Sequence, residues 1–257
     1  ELKVITAHPE FRREIDPLAV EDYFALGYVP DPRCIYRNAH KLPPAHTLTL
    51  RRGQAGLPAP QPYWDVRFTL DNPISQRDAE EELRARLRES VELRMIADVP
   101  LGAFLSGGVD SSAVVATMAG LSASPVRTCA IGFDDPKFNE SAYAEAVARR
   151  YHTDHRLEIA SSQDYGLVDT LARLYDEPYA DSSALPTYRV CQMARKHVTV
   201  ALSGDGGDES LGGYRRYRLH MAEEQARRLL PAGLRQPVFG TLGALYPKAD
   251  WAPRPLR

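Results

Sequence analysis

Hydrophobic and polar positions along this chain follow two rhythms. Residues 17–27 (PLAVEDYFALG) set Leu18, Phe24 and Leu26 at helical spacing, with Pro17 suited to a first turn and Gly27 to a stop, which predicts a helix. The chain is then punctuated by Pro30, Pro32, Pro43, Pro44, Pro58, Pro60 and Pro62 around one alternating stretch, residues 46–51 (HTLTLR). There Leu48 and Leu50 face one way and Thr47 and Thr49 the other, which predicts an edge strand or hairpin arm. One helix and one hairpin have little to bury by themselves, so this segment reads as a small proline-rich adaptor packed on something larger.

From Ser75 onward the rhythm becomes helix and strand in turn. Ser75 and Asp78 offer an N-terminal cap, and Ala79, Leu83, Leu87 and Val91 recur at four-residue steps, predicting an amphipathic helix to about Met95. An apolar run at 101–105, a glycine-rich turn, a helix over 111–119, a strand over 128–133 and a helix over 139–151 capped by Asn139 follow. A strand over 156–159, helices over 165–175 and 184–196, and an apolar run over 198–202 ending on a second glycine-rich turn complete the series. Such alternation predicts an α/β fold, a parallel sheet with helices on both faces. After Leu230 the residues Pro231, Pro237, Pro247, Pro253 and Pro255 leave little periodicity, and an irregular arm is expected.

Composition narrows the class. The 257 residues are 44% hydrophobic and 26% charged with 17 glycines, which is globular and neither disordered nor fibrous. A net charge of −2 gives no electrostatic reason to expect nucleic acid or an anionic membrane, so any bound anion must be held locally. Cys34, Cys129 and Cys191 lack a C-x-x-C spacing and are expected to be buried thiols in a reducing compartment, the cytoplasm. No apolar run approaches the roughly 18 residues of a membrane span, and no signal peptide is visible.

The strongest chemical signal is Ser106-Gly107-Gly108-Val109-Asp110-Ser111-Ser112, between an apolar run and a helix. Adjacent glycines let backbone N–H groups approach an anion, the serines add hydroxyl donors, and a helix starting near Ser111 points its positive end at the same place. A pyrophosphate fits such a loop. Asp110 would repel a phosphate directly but suits a magnesium ion bridging to one. No P-loop string with a Gly-Lys-Ser/Thr end occurs, and no G-x-G-x-x-G completes after a strand. The plainer reading is a tight strand-to-helix turn, which accounts for the two glycines but not for the whole string.

A second string, Ser203-Gly204-Asp205-Gly206-Gly207-Asp208-Glu209 followed by Gly212-Gly213-Tyr214, stands after the run at 198–202. It gathers carboxylates in another glycine-rich turn, and since ligands of an open parallel sheet sit at the carboxyl ends of its strands, two such loops can share one ligand. Taken alone it reads as a solvated acidic turn.

The first string, after Leu101-Gly102-Ala103-Phe104-Leu105, resembles the pyrophosphate loop of the adenine nucleotide α-hydrolases, the ATP pyrophosphatase group. Within that group the chain resembles the synthetase domain of glutamine-hydrolysing asparagine synthetases. The second string is similar to that family's S-G-E-G-x-D-E and G-G-Y, and Asp181-Ser182-Ser183-Ala184-Leu185-Pro186-Thr187 sits where the family carries a substrate-side segment. The resemblance spans nearly the whole chain. It implies an adenine nucleotide α-hydrolase-like sheet that binds ATP and Mg2+. Ser106, Gly107, Gly108, Val109, Asp110, Ser111 and Ser112 would surround the pyrophosphate, Phe104 and Ile131 would flank the adenine, and Ser203 and Gly204 would line nucleotide and acceptor. Asp110 and Asp208 would hold magnesium, and Tyr214 would close the acceptor side. Asp205, standing where these synthetases usually have Glu, would be the base for incoming ammonia.

The implied activity is adenylation of a carboxylate, aspartate or similar, with release of pyrophosphate, then transfer of glutamine-derived ammonia to give the amide and AMP. Its partners would be ATP, a small carboxylate and ammonia from a glutaminase domain, with no nucleic acid and no membrane, and a homodimer among the assemblies left open. Two readings stand beside it: an amidotransferase or lactam-forming synthetase acting on another carboxylate, such as an exopolysaccharide-associated one, and a non-catalytic nucleotide-binding module. The family opens on a nucleophilic cysteine, whereas this chain opens on Glu1, and of the lysines expected beyond the G-G-Y helix only Lys248 is found. The expectation is an internal fragment that does not itself hydrolyse glutamine. Residues 1–71 would be the junction from a glutaminase domain and residues 72–257 a C-terminally shortened synthetase domain. His152 and His155 read as a surface pair, and Tyr214-Arg215-Arg216-Tyr217-Arg218 as a helix face or phosphate-side support.

Overall fold

A computed structural model describes residues 1–68, 73–137, 139–160, 165–229 and 231–245. The expected boundary at residue 71, and Lys248, lie outside the described residues. The chain divides into two compact units, Glu1–Gly204 and Asp205–Arg257.

Local chemistry sets the first helices of the larger unit. After α1 (Leu2–Thr6), the Asp16 carboxylate accepts the Leu18 N–H at 3.0 Å and starts α2 (Pro17–Leu26), and Gly27 at φ 82° ends it in the left-handed region that favours glycine. Ala19, Val29, Cys34, Ile35 and Ala39 are buried together, with Leu2, Phe11, Tyr23 and Tyr36 packed around them. The segment therefore has a small core of its own, contrary to the expectation that it buries little. Its turns fold residues 29–39 back over α2, which a reading of one helix and one hairpin does not foresee. The hairpin is shorter than residues 46–51: β1 (His46–Thr47) pairs antiparallel with β2 (Gln61–Pro62). Pro62 has no N–H to extend the ladder, and Leu50 is left exposed.

In α3 (Gln76–Arg94) the Ser75 hydroxyl accepts the Asp78 N–H at 3.2 Å and donates to its carboxylate at 2.8 Å, a reciprocal cap. Only the second half of its apolar stripe is covered: Val91 is buried and Leu87 packs on the core, while Leu83 stays 47% exposed. The strands β3 (Leu101–Phe104), β4 (Arg127–Phe133), β5 (Asp154–Ala160) and β6 (Val200–Leu202) pair in parallel in the order β5-β4-β3-β6. Between them run α4 (Val109–Leu121), α5 (Ser141–Tyr151), α6 (Val168–Leu174) and α7 (Ala184–Ala194). Ala103, Leu105 and Ala130 pack with Val115 and Met118 of α4 and Ala144 and Ala148 of α5, whereas Cys129 packs with Met193 and Ala194 of α7. Helices therefore cover both faces, as expected.

Three sequence readings are corrected. Cys34 and Cys129 are buried, but Cys191 is exposed on the solvent side of α7. His155 is not a surface residue: the alternation of β5 turns it inward, where its Nδ1 lies 2.9 Å from the buried Thr128 hydroxyl, itself 2.8 Å from that of Thr153. In the smaller unit α8 (Gly207–Leu211), α9 (Arg215–Leu229) and α10 (Ala232–Leu245) follow one another, so the expected irregular arm is helical to residue 245 despite Pro237. The price of that proline is one backbone hydrogen bond, and the Thr241 hydroxyl donates to the Pro237 carbonyl at 2.6 Å. Among the described residues no helix is long and apolar enough to cross a membrane.

The His155 Nε2 is buried without a partner among the described residues, and burial pushes the imidazole below its ordinary value. A depressed folded pKa favours the neutral ring, so this contribution is complete above the unfolded value of about 6.5 and is lost as pH falls through the folded one. The thermal midpoint should therefore drop between about pH 7.5 and 5, and His155→Gln should flatten that slope in a pH series of melts.

Candidate active site

The carboxyl end of β3 delivers Leu105, fully buried and still in the ladder through its N–H to the Cys129 carbonyl (2.9 Å), and then turns sharply. The Ser106 and Ser111 hydroxyls lie 2.9 Å apart; Ser106 N–H donates to Ser111 Oγ (3.3 Å), Gly108 N–H donates to Ser106 Oγ (3.2 Å), and Ser111 Oγ donates to the Gly108 carbonyl (3.3 Å). These two serines brace the loop from within. Helix α4 begins at Val109, two residues earlier than the sequence predicts, because Gly108 in extended conformation serves as its N-cap. Asp110 and Ser111 consequently stand in the first turn, whose amides have no intrahelical acceptor. The Val109 side chain is 85% exposed, and the Ser112 hydroxyl is buried with no partner among the described residues.

Two glycines are required here by space. Gly107, at φ 83°, faces the first turn of α5: a Cβ there would stand 2.5 Å from Tyr143 Cβ and 2.6 Å from Ala144 N. Gly204, just past β6, faces the first turn of α4: a Cβ there would stand 2.5 Å from Ser111 N and 2.9 Å from Asp110 Cβ. The larger unit thus brings Ser203 and Gly204 against residues 106–112 at neighbouring strand ends. Phe104 pairs in register with Cys129, and Ile131 lies two residues beyond it, so both half-buried side chains share the α7 face of the sheet.

The smaller unit forms the acidic turn. Gly206 at φ 87° leads into α8, Asp205 is exposed, and Asp208 lies in the first turn. The Gly213 N–H donates to the Asp208 carbonyl (3.0 Å), and a side chain at Gly213 would overlap the Asp208 carboxylate. The Tyr214 hydroxyl donates to Glu209 at 2.5 Å, and the Arg216 guanidinium lies 4.1 Å from the centre of the Tyr214 ring. That hydrogen bond holds Glu209 below the usual carboxylate range and pushes the Tyr214 phenol up. Glu209 stands in the second string with no role of its own in the sequence reading; its five-residue spacing from Tyr214 is no helical contact and gave no signal. Tyr143 and Ala144 were likewise missed, since only the fold brings α5 to Gly107.

Cavities of 260, 410 and 690 Å³ border the amino ends of β3, β4 and β5, with Arg127 and Asp154 each lining two of them, and contain no residue of either string. The chemistry belongs at the opposite, carboxyl ends. Among the described residues no three His, Cys, Asp or Glu side chains form a metal cluster. A single carboxylate such as Asp110 beside a phosphate cradle does fit magnesium, which keeps water and substrate phosphate oxygens as its other ligands.

Residues 82–254 match the family model described as asparagine synthase, and residues 1–64 match that of a glutamine amidotransferase domain. A protein of Methanocaldococcus jannaschii, named for asparagine synthetase 2 of the glutamine-hydrolyzing type, is 39% identical over 254 residues, 95% of this chain and 48% of that protein. Glutamine-hydrolyzing asparagine synthetase 1 of Bacillus subtilis is 33% identical over 228 residues, 87% of this chain and 35% of that protein. The chain thus spans half or less of the length of these relatives.

Gly204→Ala should destabilise the protein by about 1–3 kcal/mol in urea unfolding, because neither backbone at the contact can yield cheaply. Tyr214→Phe should raise the Glu209 pKa toward the ordinary carboxylate range, because the hydrogen bond that lowers it is lost, read by NMR titration of its carboxyl carbon.

Proposed function

Because the chain belongs to the asparagine synthase family, we propose that it carries the nucleotide site of an ATP-dependent, AMP-forming ligase. A substrate carboxylate oxygen attacks the α-phosphorus of ATP, the α–β phosphoanhydride bond breaks, and pyrophosphate leaves. Ammonia then attacks the acyl carbon, AMP leaves with the bonding pair, and an amide remains. The observation that carries this reading is the loop at 106–112, which Ser106 and Ser111 brace by bonding to each other and which ends on the first turn of α4, whose amides have no intrahelical acceptor.

In this reading Gly107, Gly108 and the α4 amides take the charge of the departing pyrophosphate, with Ser112 as a hydroxyl donor. Phe104 and Ile131 flank the adenine, and Ser203 and Gly204 line the nucleotide and the acceptor. Asp110 and Asp208 are the carboxylates assigned to magnesium, which would neutralise phosphate charge when bound. Asp205 takes the proton of the attacking ammonia, and Tyr214, fixed by Glu209, bounds the acceptor. Residues 1–64 belong with the amidotransferase that supplies the ammonia. Asp205, one methylene shorter than the family's usual Glu, favours as a second reading an acceptor other than free aspartate.

The full-length protein, given ATP, magnesium, ammonia and a panel of carboxylates, should form AMP and pyrophosphate in equal amounts and only with an acceptor present. Formation of ADP and phosphate instead would sink the proposal. Asp110→Ala should cut the rate by on the order of 100-fold or more and weaken magnesium-dependent ATP binding in calorimetry.

A further inference from the structure

The segment between α6 and α7 is held from outside by two neighbouring acids. Asp176 accepts the Leu2 N–H at 2.6 Å and pairs with Lys3 Nζ at 3.1 Å, while Lys3 also donates to the Leu174 carbonyl at 3.1 Å. Glu177 accepts the Ile35 N–H at 2.6 Å and pairs with Lys41 Nζ at 2.5 Å. Beyond them the Ala180 N–H donates to the Gly27 carbonyl at 2.8 Å. All of these partners belong to the body built around Ala19, Val29 and Ile35, inside the stretch that matches an amidotransferase domain.

From the two acids a second set of contacts runs along the surface toward α7. Tyr175 and Tyr179, on either side of them, stack with ring centres 4.6 Å apart. The Tyr179 hydroxyl donates to Asp181 Oδ2 at 3.3 Å, and Asp181 Oδ1 accepts the Ser183 N–H at 2.8 Å, at the start of α7. The Asp176 and Glu177 side chains are 20% and 14% exposed while Lys3 and Lys41 are 45% and 32% exposed, so solvent screens the ion pairs and the charge-assisted bonds to backbone N–H groups carry the contact. Removing Glu177 would also strand the N–H of buried Ile35.

We propose that Asp176 and Glu177 are positioning residues that make the amidotransferase-matched body part of the acceptor site: while both are engaged, the turn at 181–183 is held in the form that receives the carboxylate. This rests on the ligase reading above, together with the resemblance by which residues 181–187 stand where the family carries a substrate-side segment. The contacts form one continuous physical link between two bodies, and its two acids, one residue apart, release together.

The test is the double variant Asp176→Asn with Glu177→Gln in the full-length protein, assayed with free ammonia so that glutamine hydrolysis is bypassed. The acceptor KM should rise about tenfold while the ATP KM changes by less than about twofold, and hydrogen–deuterium exchange should quicken at 179–187 as well as at 27–41. Tyr179→Phe, which removes only the hydroxyl contact to Asp181, should move the acceptor KM in the same direction with an unchanged melting temperature. Equal effects on both KM values, or faster exchange confined to 27–41, would overturn the proposal. If the unmodified protein forms no AMP with any carboxylate, the ligase reading fails, and the exchange pattern still decides whether the link exists.

Discussion

Everything at the carboxyl edge of the sheet depends on how closely the end of β6 approaches the first turn of α4. There is no room for one carbon between Gly204 and the backbone of Asp110 and Ser111. The approach is possible because β3 lies between β4 and β6 in the sheet, with Gly102 equally short of space against the Arg127 carbonyl and Val198. A parallel sheet sends all its strands out at one edge, so tight lateral packing concentrates the loops that follow them. Those loops meet where a helix begins and its amides have no acceptor of their own.

Hydrogen bonding then sorts the polar groups into those that build and those that remain available. Ser106 and Ser111 satisfy each other and hold the turn, whereas the similar hydroxyl of Ser112 is buried with no partner among the described residues. Beside the sheet, the Thr128, Thr153 and His155 side chains are likewise joined by short contacts, with His155 Nε2 left without a partner among the described residues. In the acidic turn Tyr214 is committed to Glu209, which fixes its phenol.

The first 41 residues have a core too small to stand on burial alone, and their docking relies on directional contacts instead. Two carboxylates accept two backbone N–H groups and meet two lysines. Such contacts are specific in register and sensitive to the loss of a single atom, whereas an apolar interface would tolerate slippage. They place the amidotransferase-matched stretch and the turn before α7 under one mechanical constraint.

Much of this was legible from residue order because the responsible physics is local. Asp16, Pro17 and Gly27 bound α2, Ser75 and Asp78 start α3, and the strand and helix alternation predicts the parallel sheet. What went astray was non-local: the private core of residues 2–39, the inward turn of His155, the exposure of Cys191 and the helix at 232–245. By itself the sequence determined the caps of α2 and α3, the hydrophobic period and the placing of both glycine-rich turns after strands, each encoded within about five residues. Only the tertiary structure decided which serine stays free, why positions 107 and 204 admit no side chain, and what Asp176 and Glu177 hold. Those outcomes depend on distances between residues up to 174 positions apart, which packing alone fixes.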